Sequence, residues 1–277
     1  MLLFFNNNEL NTTSKTIGIL GFGWLGSALA EALLQKKYTV HASKTNWEDT
    51  SEASPSGLKK FQLVVGDKKM KGDLSFFENT SQLLILLPPS QRKTGFDLLA
   101  VLKTLYAYLP NTAVERILFT SSTSIYGAQA GTLDERTPAY PNTQNGTTLT
   151  QCETFIQEQD LPYVVLRLGG LIGPNRHPIK QLQHKSISNP EGFINFIHQT
   201  DAVNILIKIL ENESLEGIFN GVCPSHPKRR DYYEAMAKKR GLPPLRFTNE
   251  PPLERIIDSK KITDAIGYTF EVNNLLI

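Results

Sequence analysis

The chain of 277 residues has a formal net charge of +2 with both signs spread along it, so no basic stripe argues for a nucleic-acid partner. No window approaches the run of about 18 apolar residues that spans a bilayer, so no membrane association is expected. Two cysteines, Cys152 and Cys223, have neither metal-ligand spacing nor a disulfide framework, so no metal site is expected and a cytoplasmic setting fits. The length suits one large domain, or a core domain with a smaller partner.

Met1 to Phe5 are apolar but too few for a signal sequence, and Asn-rich residues follow, so residues 1–15 read as a flexible leader. The string TIGILGFGWLG (16–26) comes next. Its apolar run predicts a buried strand, and Leu25, Ala28, Leu29, Ala32 and Leu33 fall at helical spacing beyond it. A G-x-G-x-x-G turn between strand and helix is a dinucleotide fingerprint. Gly21 permits the tight turn, Gly23 lets backbone N–H groups approach a pyrophosphate, and Gly26 lets helix and strand pack closely.

Further strands are expected over 38–42, 61–65, 83–87, 117–120 and 163–168. Amphipathic helices are expected over 98–109, stopped by Pro110, and over 148–159, with Thr148 and Gln151 set for a capping box. Strands alternating with helices define an α/β fold, a doubly wound parallel Rossmann sheet over 16–170. Past Gly169 the texture changes to short, proline-broken pieces, read as a smaller substrate-side lobe over 171–277. Within it, residues of about 193–220 are expected to return to the main sheet through a helix (201–210) and a strand (218–220).

Ligands of open parallel sheets bind beyond the carboxyl ends of the strands. Those ends nominate Gly21, Gly23, Trp24, Leu25, Gly26, Ser43, Lys44, Leu87, Pro88, Pro89 and Ser121 as cofactor contacts. NAD-binding units place an acid about 20 residues past the glycines to hold the adenosine ribose. Here the second strand ends in Ser43-Lys44, a hydroxyl and an ammonium that suit a 2′-phosphate, so NADP is expected ahead of NAD. Glu48 and Asp49 lie deeper in the loop and keep NAD as the alternative.

Beside the glycine turn stand ILFTSSTSIYG (117–127), Asp134-Glu135 before Thr137-Pro138, LRLGGLIGPNRHP (166–178), FINFIHQTDAV (193–203), IFNGVCPSHP (218–227) and IIDSKKI (256–262). In that order they resemble the extended short-chain dehydrogenase/reductase family, its NAD(P)-dependent epimerase/dehydratase group, and within it an atypical YeeZ-like subgroup. The resemblance implies a serine that hydrogen-bonds substrate, which falls on Ser122, and a Tyr-x-x-x-Lys pair, which falls on Asn145 and Leu149. Both members of that pair are gone. A free tyrosine has a pKa near 10, so the Lys normally helps it act near neutrality, and here there is neither group.

Three residues are candidates for the proton chemistry: Ser122, Tyr140 just upstream of Asn145, and His177, because an ordinary imidazole titrates near neutrality. Asn145 and Arg176 join Ser122 as candidate substrate contacts, Arg176 as a clamp for phosphate or carboxylate. Tyr126, His198 and Asp201 read as structural. The expected function is an NAD(P)-binding oxidoreductase or epimerase-like protein acting on a small hydroxy, carbonyl or sugar-nucleotide molecule. The alternative is an inactive NADP(H) sensor. Relatives of this type dimerise through the helices at 96–109 and 148–159, so a monomer or homodimer is expected.

Overall fold

In the computed structural model, which describes residues 15–47, 54–89 and 96–276, strands and helices alternate from the first turn onward. The order is β1 (Thr16–Leu20), α1 (Trp24–Gln35), β2 (Thr39–Lys44), β3 (Leu58–Val65), β4 (Met70–Gly72), β5 (Thr80–Ile85) and α2 (Leu98–Tyr108). Next come β6 (Arg116–Ser122), β7 (Gly131–Leu133), α3 (Gln144–Gln157) and β8 (Tyr163–Leu168). Beyond β8 lie β9 (Gly170–Ile172), α4 (Ile179–Leu182), β10 (Ser186–Ile187), β11 (Phe196–His198), α5 (Gln199–Glu211) and β12 (Gly217–Gly221). The chain closes with α6 (Arg229–Lys239), β13 (Arg246–Phe247), β14 (Arg255–Ile257) and α7 (Lys260–Ile266). Most of the leader (1–14), and Glu48 and Asp49, lie outside the described residues.

Eight strands form one sheet in the order β12-β8-β6-β5-β1-β2-β3-β4, parallel except for the β3–β4 edge. Strand β1 is buried along its whole length, as a strand covered on both faces must be. Helices α1 and α5 pack together on one face and α2 and α3 on the other, giving two cores separated by the sheet. Leu29 and Leu33 of α1 are fully buried in the first; side chains of this size contribute roughly 1.5–3 kcal/mol each. This is a doubly wound Rossmann-type α/β fold.

Strand β12 lies beside β8 in the main sheet and forms its edge. Side chains cap its outward backbone groups: Glu135 Oε1 accepts from the Asn220 N–H (2.6 Å) and Ser259 Oγ from the Val222 N–H (2.8 Å). Lys261 Nζ donates to the Ile218 carbonyl (2.7 Å). An edge treated this way offers little to a foreign strand. Asp201, fully buried, accepts from the Tyr268 hydroxyl and from the backbone N–H groups of Glu271 and Val272, tying the C-terminal stretch to α5.

Two expectations shift. Helix α3 starts a turn before the expected Thr148, because Thr143 Oγ1 caps it by accepting from the Gly146 N–H (3.1 Å). Strand β3 starts at Leu58 rather than Phe61; Phe61 and Leu63 turn inward while Lys60, Gln62 and Val64 face solvent, an alternation that a strand near the sheet edge permits. The segment past β8 contributes two-stranded pieces, β9 with β11, β10 with β13 and β14 with β7, so the C-terminal part is threaded back onto the first half.

Candidate functional site

Two cavities lie end to end across the glycine turn, of about 460 and 620 Å³, and both are bounded by Gly21, Gly23, Leu86, Leu87 and Pro88. The first extends along the carboxyl ends of β2 and β3, past Ser43, Lys44, Thr45 and Asp67. The second extends past Trp24, Leu25, Gly26 and Pro89 to Ser121, Ser122, Asn145 and Arg176.

The three glycines of the turn have different physical reasons. Gly21 has φ +107°, and a Cβ there would lie 2.9 Å from the Leu86 carbonyl oxygen. At Gly26 a Cβ would come within 2.5 Å of the Gly21 oxygen, so helix and strand leave no room. Gly23 is otherwise: its φ of −96° suits any residue, and a Cβ would meet no atom of the described residues within 4 Å. Packing among the described residues does not demand a glycine there. Its N–H donates to the Gly21 carbonyl (2.8 Å), while α1 begins at Trp24 with no side-chain cap and no carboxylate in its first turn. The N–H groups of Trp24, Leu25 and Gly26 therefore face the crevice mouth without intrahelical acceptors. Such a turn suits an anion.

At the far end of the first cavity, Trp47 is fixed by its Nε1–H on the Phe61 carbonyl (2.9 Å) and packs against Phe22. Lys44 Nζ and Lys60 Nζ lie 5.2 and 5.4 Å from its ring centre. Ser43 lines this cavity but is buried, and its hydroxyl donates to the Ile19 carbonyl (3.3 Å). Asp67, just past the carboxyl end of β3, also lines this cavity, a position that the strand-end rule covers.

In the second cavity the paired serines divide their roles. Ser122 Oγ accepts from the Ser124 N–H (3.2 Å), and no acceptor for its own proton is found among the described residues. Ser121 donates its proton to Glu153, whose carboxylate also holds Arg167 in a buried bidentate pair (Nη2 to Oε2, 2.7 Å). Burial alone would lower the Arg167 pKa, but the Glu153 carboxylate more than offsets it and holds it above the usual value. Arg167 in turn donates to the Tyr126 hydroxyl (2.9 Å), which meets Asn220 Oδ1 at the same distance. Burial raises the Tyr126 pKa. Tyr126 is fully buried in this network, a structural part as the sequence suggested.

Tyr140 and His177 are not brought to the crevice. Tyr140 is 72% exposed and lines neither cavity, because its backbone pairs with Ile125 and crowds Gly127, leaving the ring outside. The His177 ring stacks on Tyr232 with Nε2 2.8 Å from the hydroxyl. Its Nδ1 accepts from the Ile179 N–H (3.2 Å), so the neutral ring carries its proton on Nε2. Burial, with the Arg240 charge, pushes its pKa down to about 4, so it does not titrate near neutrality. Asn145 lines the second cavity at the start of α3, and Leu149, one turn on, is buried with Cys152 and Ile156 in the α3 core. Among the described residues no group of His, Cys, Asp and Glu has the makings of a metal site, and no helix is long and apolar enough to cross a membrane.

A glycine turn between the first strand and helix, opening on a crevice along the carboxyl ends of a doubly wound sheet, defines a protein of the dinucleotide-binding class. The chain belongs to the NAD dependent epimerase/dehydratase family, whose model matches residues 93–220. It is similar to Protein YeeZ of Escherichia coli (strain K12), with 32% identity over 270 residues that cover 95% of this chain and 98% of that protein. Among solved structures, UDP-glucuronic acid 4-epimerase from Bacillus cereus, in complex with NAD, superposes with a TM-score of 0.75 at 18% identity, covering 94% of this chain and 95% of that one. The Bordetella bronchiseptica enzyme WbmG, in complex with NAD and UDP, does so at 0.75 and 17%, covering 95% and 91%.

Proposed function

We propose that the chain binds NADP along the crevice and acts as an oxidoreductase or epimerase-like enzyme on a small hydroxy, carbonyl or sugar-nucleotide substrate. The observation that carries the dinucleotide is Gly23, whose missing side chain has no explanation among the described residues and a ready one in a pyrophosphate passing the start of α1. NADP is favoured over NAD by Lys44 and Lys60 flanking Trp47, and by a β2 end with no acid from Ser43 to Trp47. An ammonium there attracts a 2′-phosphate that a carboxylate repels. Bound NAD in the two solved relatives agrees with the dinucleotide and leaves the phosphate preference to this chain's own residues.

When bound, the nicotinamide supplies or takes a hydride at a substrate carbon. The chain's contribution is Ser122, whose free hydroxyl proton polarises a substrate carbonyl, with Asn145 orienting it through its amide. Apart from Arg176, no described residue lining this cavity has a titratable side chain, and solvent is the proton source this reading assigns. The same observation favours the second reading, an NADP(H) sensor that turns nothing over.

Calorimetric titration with NADP, NADPH, NAD and NADH is the test. Binding of the phosphorylated pair at least 10-fold tighter is expected, reversed toward NAD by Lys44→Glu. Gly23→Ala is expected to weaken every dinucleotide. No binding of any of the four refutes the proposal, and stereospecific hydride exchange excludes the sensor.

A further inference from the structure

We infer that the substrate end of the crevice takes a compact molecule with an anionic group, a carboxylate or phosphate, seated on Arg176 with Trp24 as the platform beneath it. The inference rests on the reading of the second cavity as the substrate end. Among the described residues lining that cavity none is an acid, and Arg176 is the one cation. No acidic partner holds its guanidinium among the described residues; instead it lies over the Trp24 ring, 5.0 Å from the centre.

The mounting is rigid at both ends. Gly173 and Arg176 exchange backbone hydrogen bonds in both directions (3.0 and 3.1 Å), with Asn175 between them in the left-handed region at φ 58°. The Trp24 Nε1–H donates to the Pro174 carbonyl (3.1 Å), and Gln199 Nε2 donates to the Trp24 carbonyl (2.9 Å). A side chain at Gly173 would come 3.2 Å from the indole, so the bare glycine lets the turn close on the ring. A guanidinium held on an aromatic face, with donors left over and no counter-charge, is pre-organised for an oxyanion. Ser122, which lines the same cavity, would then face the reacting carbonyl or hydroxyl while Arg176 fixes the anionic group of the same molecule.

The dinucleotide pyrophosphate is the other oxyanion that this arginine would meet, so the test separates the two. Protein labelled with 15N is saturated with NADP and titrated with inorganic phosphate, with acetate and with neutral acetamide. The two tryptophan Nε1–H signals report, and a Trp24→Phe variant assigns them. The expected result is a saturable shift of the Trp24 signal by phosphate and acetate, weaker by roughly 10- to 100-fold in Arg176→Gln, partly kept in Arg176→Lys, and absent with acetamide. Equal shifts in Arg176→Gln, or equal shifts by acetamide and acetate, overturn the inference. So does a loss of NADP affinity in Arg176→Gln with no anion-induced shift in the wild type, which gives Arg176 to the pyrophosphate. If NADP fails to bind the wild type, the dinucleotide reading falls. The same titration without NADP then decides the anion site by itself.

Discussion

Replacing Glu153 by Gln probes the buried pair that underlies the crevice. The carboxylate is 3% exposed and its partner guanidinium 7%, and three of its contacts come from Arg167, a fourth from the Ser121 hydroxyl. The amide is isosteric but removes the counter-charge and sets an N–H₂ group against Arg167 donors. Breaking a buried pair from one side costs about 3–5 kcal/mol, because a charge is left without compensation. For a chain of this size that lowers Tm by on the order of 10 °C. Urea unfolding followed by circular dichroism measures it. The double variant Glu153→Leu with Arg167→Met removes both charges, and it is expected to lose less than Glu153→Gln alone. A single variant within about 1 kcal/mol of wild type, or a double variant worse than the single, refutes the reasoning.

His177 gives a pH signature. Its folded pKa of about 4 lies below the unfolded value of 6.5, so stability is complete above pH 6.5 and is lost as pH falls toward 4. Full burial would make this about 3.4 kcal/mol, and the partly exposed ring reduces it to roughly 1–2 kcal/mol. His177→Asn is expected to flatten that stretch of the stability–pH curve; an unchanged slope counts against the assignment. Glu135 has the opposite sign. Burial raises its carboxyl pKa, so its contribution is lost as pH rises through the folded value, and Glu135→Gln is expected to gain on wild type in thermal melts from pH 4 to pH 7. Gly26→Ala is expected to cost about 1–3 kcal/mol through the Gly21 oxygen, while Gly23→Ala stays within about 0.5 kcal/mol of wild type. Equal losses at the two positions would remove the distinction between a packing glycine and a ligand glycine.

The sequence by itself determined the alternating strands and helices and the glycine turn at the first strand end. These rest on local periodicity and on residues whose backbone needs are written in their identity, such as Gly21. It also determined that Asn145 and Leu149 stand where relatives carry a proton-transfer pair, since position in the string is enough for that. Only the tertiary structure decided which side chains face the crevice. Ser43 and Lys44 both reach the first cavity from one strand end, yet the hydroxyl is engaged by the Ile19 carbonyl while the ammonium lies over Trp47. His177 has the chemistry of a base, but Tyr232, 55 positions away, and the Ile179 N–H fix it as a neutral packing group. The contact between Arg176 and Trp24 spans most of the first two-thirds of the chain. No local pattern encodes such a meeting, because it exists only once α1 and the turn after β9 have been brought to the same end of the sheet.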